Sequence, residues 1–96
     1  NYVSSKASNG LIQYAAESYT AQNELEKSLT LFKLLLSKNV DDKILEGSLY
    51  ELGFKFGKRE ATNNPGGKAK NLVKQYTSDD KNLKRFEKGF AKGYND

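Results

Sequence analysis

An eight-residue pattern occurs twice in this 96-residue chain, and it constrains the fold more than any other feature. Tyr50-Glu51-Leu52-Gly53-Phe54-Lys55-Phe56-Gly57 and Phe86-Glu87-Lys88-Gly89-Phe90-Ala91-Lys92-Gly93 both read aromatic-Glu-x-Gly-Phe-x-x-Gly, 36 residues apart. On a helix the aromatic, the first glycine, the phenylalanine and the second glycine share one face. Glycine weakens a helix by about 1 kcal/mol relative to alanine. Two glycines on each apolar stripe therefore imply that another backbone comes close, and the expected neighbour is the other copy. Tyr50, Gly53, Phe54, Gly57, Phe86, Gly89, Phe90 and Gly93 are accordingly read as helix-packing residues, with Phe54 and Phe90 in the core. The spacing also suits an internal duplication of a helical unit, although two copies do not make a solenoid.

The rest of the chain reads as helix too, with no alternating strand pattern and no hairpin turn. From Leu11 an apolar series continues through Ala15, Ser18, Gln22, Leu25, Leu29, Phe32 and Leu36 in steps of four and three, a heptad stripe with a polar middle. No Gly or Pro interrupts it, so one long or gently kinked first helix is favoured. The alternative is a break near Thr20–Asn23, where Asn23 and Glu26 have capping-box spacing. Ser37–Asp42 is a stop-and-start signal in which Asn39 or Asp41 can cap a helix running to about Ala61. Residues 62–67 read as a connecting loop. A short helix over Lys68–Tyr76 and a last helix from about Asp79 to Gly93 complete the series. The expectation is an all-α fold, a compact bundle of four to five helices in which residues 1–96 form a single domain and residues 1–8 are frayed.

Composition narrows the function. The chain has no Cys and no His, which removes disulfides, thiolate ligands, cysteine nucleophiles, the commonest general base and the commonest zinc ligand. No catalytic residues, cofactor or metal site are assigned. Glu51 and Glu87 occupy equivalent places in the two copies, but solvated ion pairing accounts for them better than a paired-acid site. No apolar run reaches the length of a membrane-spanning helix. The numbered sequence starts at Asn1 and contains no Met; export with removal of a signal peptide is slightly favoured over cytoplasmic residence.

Charge is unevenly spread. Residues 1–48 carry five Lys against six acids, whereas residues 49–96 carry eleven Lys or Arg against six acids. Much of the excess falls on one stripe of the last helix, Lys81, Lys84, Arg85, Lys88 and Lys92, opposite its apolar side, with Lys68, Lys70 and Lys74 as an extension. This is the candidate face for an anionic partner. It contains a single arginine and no interleaved aromatic, which argues against base readout or stacking. Asn64-Pro65-Gly66-Gly67-Lys68 superficially resembles a phosphate-binding loop but lacks the hydroxyl after the lysine and the preceding strand. The reading that remains is a small non-enzymatic helical module that binds a protein, an inhibitor or immunity-type factor acting on an acidic partner. The alternative is a nucleic-acid-binding accessory protein using the basic C-terminal helix.

Overall fold

A computed structural model describes residues 8–40, 43–77 and 83–96. The described residues are all-α, with helices α1 (Asn9–Ala21), α2 (Leu25–Ser37), α3 (Glu46–Asn63), α4 (Ala69–Leu72), α5 (Lys74–Thr77) and α6 (Lys84–Asn95). They cluster into two compact units, one ending at Ile44 and the other spanning Leu45–Asp96. No helix is long and apolar enough to cross a membrane among the described residues.

The first unit corrects the expectation of one long helix. α1 begins where the Ser8 hydroxyl accepts from the Leu11 amide at 3.2 Å, the standard N-cap contact. It ends at Asn23, which adopts φ 61°. Asparagine is among the few non-glycine residues that tolerate this left-handed region. The Asn23 amide donates to the Thr20 carbonyl (3.1 Å) and the Glu24 amide to the Tyr19 carbonyl (2.9 Å), the paired bonds of a Schellman stop. Asn39 (φ 64°) closes α2 in the same way, with Asn39 N–H to Leu36 O at 3.0 Å and Val40 N–H to Leu35 O at 3.2 Å. Both asparagines therefore end a helix rather than begin one, and Asp41 lies outside the described residues.

The break at Asn23 also shifts the buried face of α1 by one residue from the heptad reading. Ile12, Ala16 and Thr20 are buried, while Leu11 is 45% exposed. In α2 the stripe is as read: Leu25, Leu29, Phe32 and Leu36 are buried, joined by Ser28 and Leu35. The two helices fold back on each other through hydroxyls. Ser28 Oγ donates to the Ala16 carbonyl at 2.8 Å, and Thr20 Oγ1 lies 3.1 Å from the same oxygen and 2.6 Å from Ser28 Oγ, so its one hydrogen serves either acceptor. Small side chains let the helices approach, and each buried hydroxyl finds a partner at the seam.

In the second unit α3 packs on α6 through the repeated pattern. A Cβ placed on Gly53 would collide with the Phe86 carbonyl and lie 2.9 Å from the Phe90 nitrogen; one on Gly57 would lie 2.7 Å from the Tyr94 nitrogen. A Cβ on Gly89 would collide with the Tyr50 carbonyl and lie 3.0 Å from the Phe54 nitrogen, and one on Gly93 would strike the Phe54 carbonyl. Because 53 meets 86–90 and 57 meets 90–94, the helices run parallel. The contacts also interchange when one copy is exchanged for the other, so an approximate twofold axis runs along the pair. Backbone approach this close brings Cα–H groups against carbonyl oxygens, a weak attraction that recurs at small-residue helix crossings.

Parallel neighbours need a return connection. α3 continues through Asn63 rather than ending near Ala61, and Gly66 takes φ 84° in the turn that follows. The expected helix over Lys68–Tyr76 is divided into the single turns α4 and α5. Together with α6 they enclose an aromatic cluster: the Tyr76 ring lies 4.5 Å from Phe56, 6.3 Å from Phe86 and 6.0 Å from Phe90, centre to centre. Phe56, Phe86 and Phe90 have no solvent exposure. At the end of this cluster Glu60 is buried. Its carboxylate accepts from the Tyr76 hydroxyl at 2.7 Å and from the Asn64 amide, while Tyr94 donates to the Asn64 carbonyl at 2.6 Å. Burial of the Tyr76 ring and its bond to Glu60 push the phenol above its ordinary pKa, against a smaller opposing pull from Arg59.

Candidate functional site

The approximate twofold makes the two sides of the α3–α6 pair comparable residue by residue. On one side Phe86 and Phe90 lie beneath Tyr76. Their counterparts 36 positions earlier, Tyr50 and Phe54, occupy the other side. Tyr50 is 39% exposed and Phe54 is half-buried, with the Lys58 ammonium 5.4 Å from the Phe54 ring centre. The flanking positions differ as sharply. Leu49, Leu52 and Phe56 are fully buried, and the Phe56 ring lies 5.5 Å from that of Phe86; the residues 36 positions later are Arg85, Lys88 and Lys92. One side is thus apolar and covered, and the other is aromatic, basic and open.

A groove of about 480 Å³ opens on this second side, lined by Glu46, Gly47, Tyr50, Lys84, Arg85 and Lys88. Arg85 is half-buried, and its Nε lies 3.4 Å from Glu46 Oε1 on α3. The pair is partly solvated and adds little to stability, and it joins α6 to α3 within the lining of the groove. Lys84 and Lys88 are exposed at the rim. Lys92 is exposed and pairs with Asp96 at 3.6 Å. Tyr50 has two roles: its carbonyl packs against Gly89, while its ring faces the groove.

Of the basic stripe read from the sequence, Lys84, Arg85 and Lys88 come together here, Lys92 lies further along the helix, and Lys81 falls outside the described residues. Lys70 and Lys74 do not extend the stripe. They line a different groove of about 380 Å³ with Ala69, Val73, Glu87 and Ala91. Glu87 accepts from Thr77 Oγ1 at 3.3 Å, and Glu51 is exposed. The segment at Gly66–Lys68 leads only into the four-residue α4, and a side chain at Gly67 would press on Tyr94 Oη at 3.1 Å. Among the described residues no three carboxylates gather in a way that could hold a metal ion.

Tyr50 and Glu46 were not assigned to the basic face by sequence reasoning. The available signal was the comparison of the two copies, in which Leu49, Leu52 and Phe56 are replaced by Arg85, Lys88 and Lys92. No family model, curated protein or solved structure matches the chain.

Proposed function

We propose that this protein is a non-enzymatic helical module that binds an acidic protein partner through the open side of the α3–α6 pair, as an inhibitor or immunity-type factor would. The observation that supports this reading is the exposed Tyr50 ring set among Lys84, Arg85 and Lys88 in one groove. Tyrosine and arginine anchors dominate protein interfaces, because they combine large rigid area with directed polar contact. The basic rim favours an acidic surface and accelerates its encounter.

A second reading, binding of single-stranded nucleic acid, gains from the same observation. The basic helix alone offers no stacking platform, but Tyr50 of α3 brings an aromatic ring to it. Against this, the groove offers a single ring and a single arginine, and Glu46, which pairs with Arg85 there, would oppose a phosphate as it would an acidic side chain.

Capture from the source organism, comparing the native chain with a Lys84→Glu/Lys88→Glu variant, tests the first reading. One stoichiometric protein should be retained by the native chain and lost by the variant. Recovery of nucleic acid alone, or of the same proteins by both chains, rejects it. Duplex and single-stranded DNA titrated at two salt concentrations complete the test, since phosphate binding weakens steeply with salt.

A further inference from the structure

The internal symmetry of the second unit specifies more than a basic surface. On the covered side, one aromatic side chain, Tyr76, sits against Phe86 and Phe90, with Phe56 at 4.5 Å. Its hydroxyl donates to the carboxylate of Glu60. Each of these groups has a counterpart 36 positions away on the open side: Tyr50 for Phe86, Phe54 for Phe90, Lys92 for Phe56 and Asp96 for Glu60. The open side thus keeps the two aromatics and the terminal carboxylate, and it exchanges an apolar wall for a cationic one. Exposure follows the same division, since Phe86 and Phe90 are inaccessible while Tyr50 is 39% exposed.

We infer that the Tyr50–Phe54 side docks a short acidic segment of a partner protein that carries one aromatic side chain, seated against Tyr50 and Phe54 as Tyr76 is seated against Phe86 and Phe90. The aromatic supplies ring contact with Tyr50 and Phe54. Its acidic neighbours meet Lys88 and Lys92, which stand where Leu52 and Phe56 would otherwise repel charge. A segment without acids gains nothing from the two lysines, and one without an aromatic leaves Tyr50 exposed. This inference rests on the protein-binding reading but is separable from it.

Three synthetic peptides of about twelve residues and one oligonucleotide test the seat. The first peptide is glutamate-rich with a single central tyrosine, the second replaces that tyrosine by alanine, and the third keeps it but replaces glutamate by glutamine. A thymidine oligonucleotide of similar charge is the fourth probe. Each is titrated against the full chain, with affinity read by fluorescence anisotropy and location by amide chemical shifts. The first peptide should bind best, perturb residues around Tyr50, Phe54, Lys88 and Lys92, and exceed each other probe by about tenfold or more in affinity. Tyr50→Ser and Lys88→Glu should each remove about that factor while circular dichroism shows both variants still helical, since Lys88 is exposed and Tyr50 is 39% exposed; Tyr50→Phe, which keeps the ring, should retain the affinity. Equal binding with and without the tyrosine, sensitive to Lys88→Glu but not to Tyr50→Ser, overturns the aromatic seat and leaves the basic protein-binding face standing. Tighter binding of the oligonucleotide overturns both, and no peptide binding at all overturns the seat.

Discussion

The two units each bring a pair of helices into close contact, but by different means. α1 and α2 meet through hydroxyls: Thr20 and Ser28 converge on the Ala16 carbonyl, and a three-residue turn with left-handed Asn23 joins them. α3 and α6 meet through the absence of side chains, with four glycines laid against backbone. A hydroxyl seam tolerates change because each partner retains another bond. A glycine seam has no such reserve, since any added atom must displace main chain. The hairpin obtains its proximity from a short turn, whereas the parallel pair is connected by α4 and α5, and its contact depends on the seam itself. Local connection and close fit are thus alternative ways of holding two helices together.

The largest test strikes the glycine seam. Gly53→Ala and Gly89→Ala should each destabilise the protein by about 3 kcal/mol or more, because the new methyl meets a carbonyl that belongs to a rigid helix. Near-equal losses would support the approximate twofold, and a loss below about 1 kcal/mol in urea denaturation would show that the backbones do not touch. Gly10→Ala and Gly47→Ala are the controls. Nothing lies within 4 Å of a Cβ at either position, so these helix substitutions should be neutral or stabilising by up to about 1 kcal/mol.

A smaller loss is expected at the covered end of the same pair. Tyr76→Phe removes a donor to the buried Glu60 carboxylate and should cost about 1–2 kcal/mol. It should also change the alkaline limb of the stability curve. The phenol titrates higher in the folded protein than in the unfolded chain. Its contribution is therefore complete below the ordinary tyrosine value and is lost as pH rises through the raised folded value. Melting temperatures measured from neutral pH to above pH ~10 should fall less steeply for Tyr76→Phe than for the native chain. Identical slopes would remove Tyr76 from this role.

The hydroxyl seam should respond more mildly. Ser28→Ala removes one hydroxyl of the pair, but the Thr20 hydroxyl can donate to the Ala16 carbonyl in its place, so about 1 kcal/mol is expected. A cost as large as that of Gly53→Ala would erase the distinction between the two seams. The smallest effect belongs to the turn. Asn23→Gly should change stability by a few tenths of a kcal/mol, whereas Asn23→Ala should cost about 1 kcal/mol through the left-handed backbone. Equal effects of the two substitutions would mean that the stop does not require φ near 61°.

Much of the parallel pair was legible in the chain, because glycine spacing acts locally: four glycines on two apolar stripes have few reasons to exist except backbone contact. The helical hairpin was harder to read. Asn23 and Asn39 favour both helix starts and left-handed helix stops, and their side chains alone do not distinguish the two. The uninterrupted heptad from Leu11 to Leu36 concealed the break, and with it the one-residue shift that buries Ile12 and exposes Leu11. The basic stripe was visible, but Tyr50 read as an inward packing residue and Phe54 as core; Phe54 is instead half-buried and Tyr50 39% exposed, because only the Phe86–Phe90 side lies beneath Tyr76.

By itself, then, the sequence determined that the chain is helical, that two glycine-bearing helices seek each other, and that positive charge gathers on the last of them. These follow from periodicity, propensity and composition, which are properties of neighbouring residues. Only the tertiary structure decided that the two copies run parallel about an approximate twofold, and that Tyr76 covers one side while Tyr50 remains open beside Lys84, Arg85 and Lys88. Which of two equivalent faces is covered depends on the path of the connection between the copies, and that is fixed by contacts between residues distant in the chain.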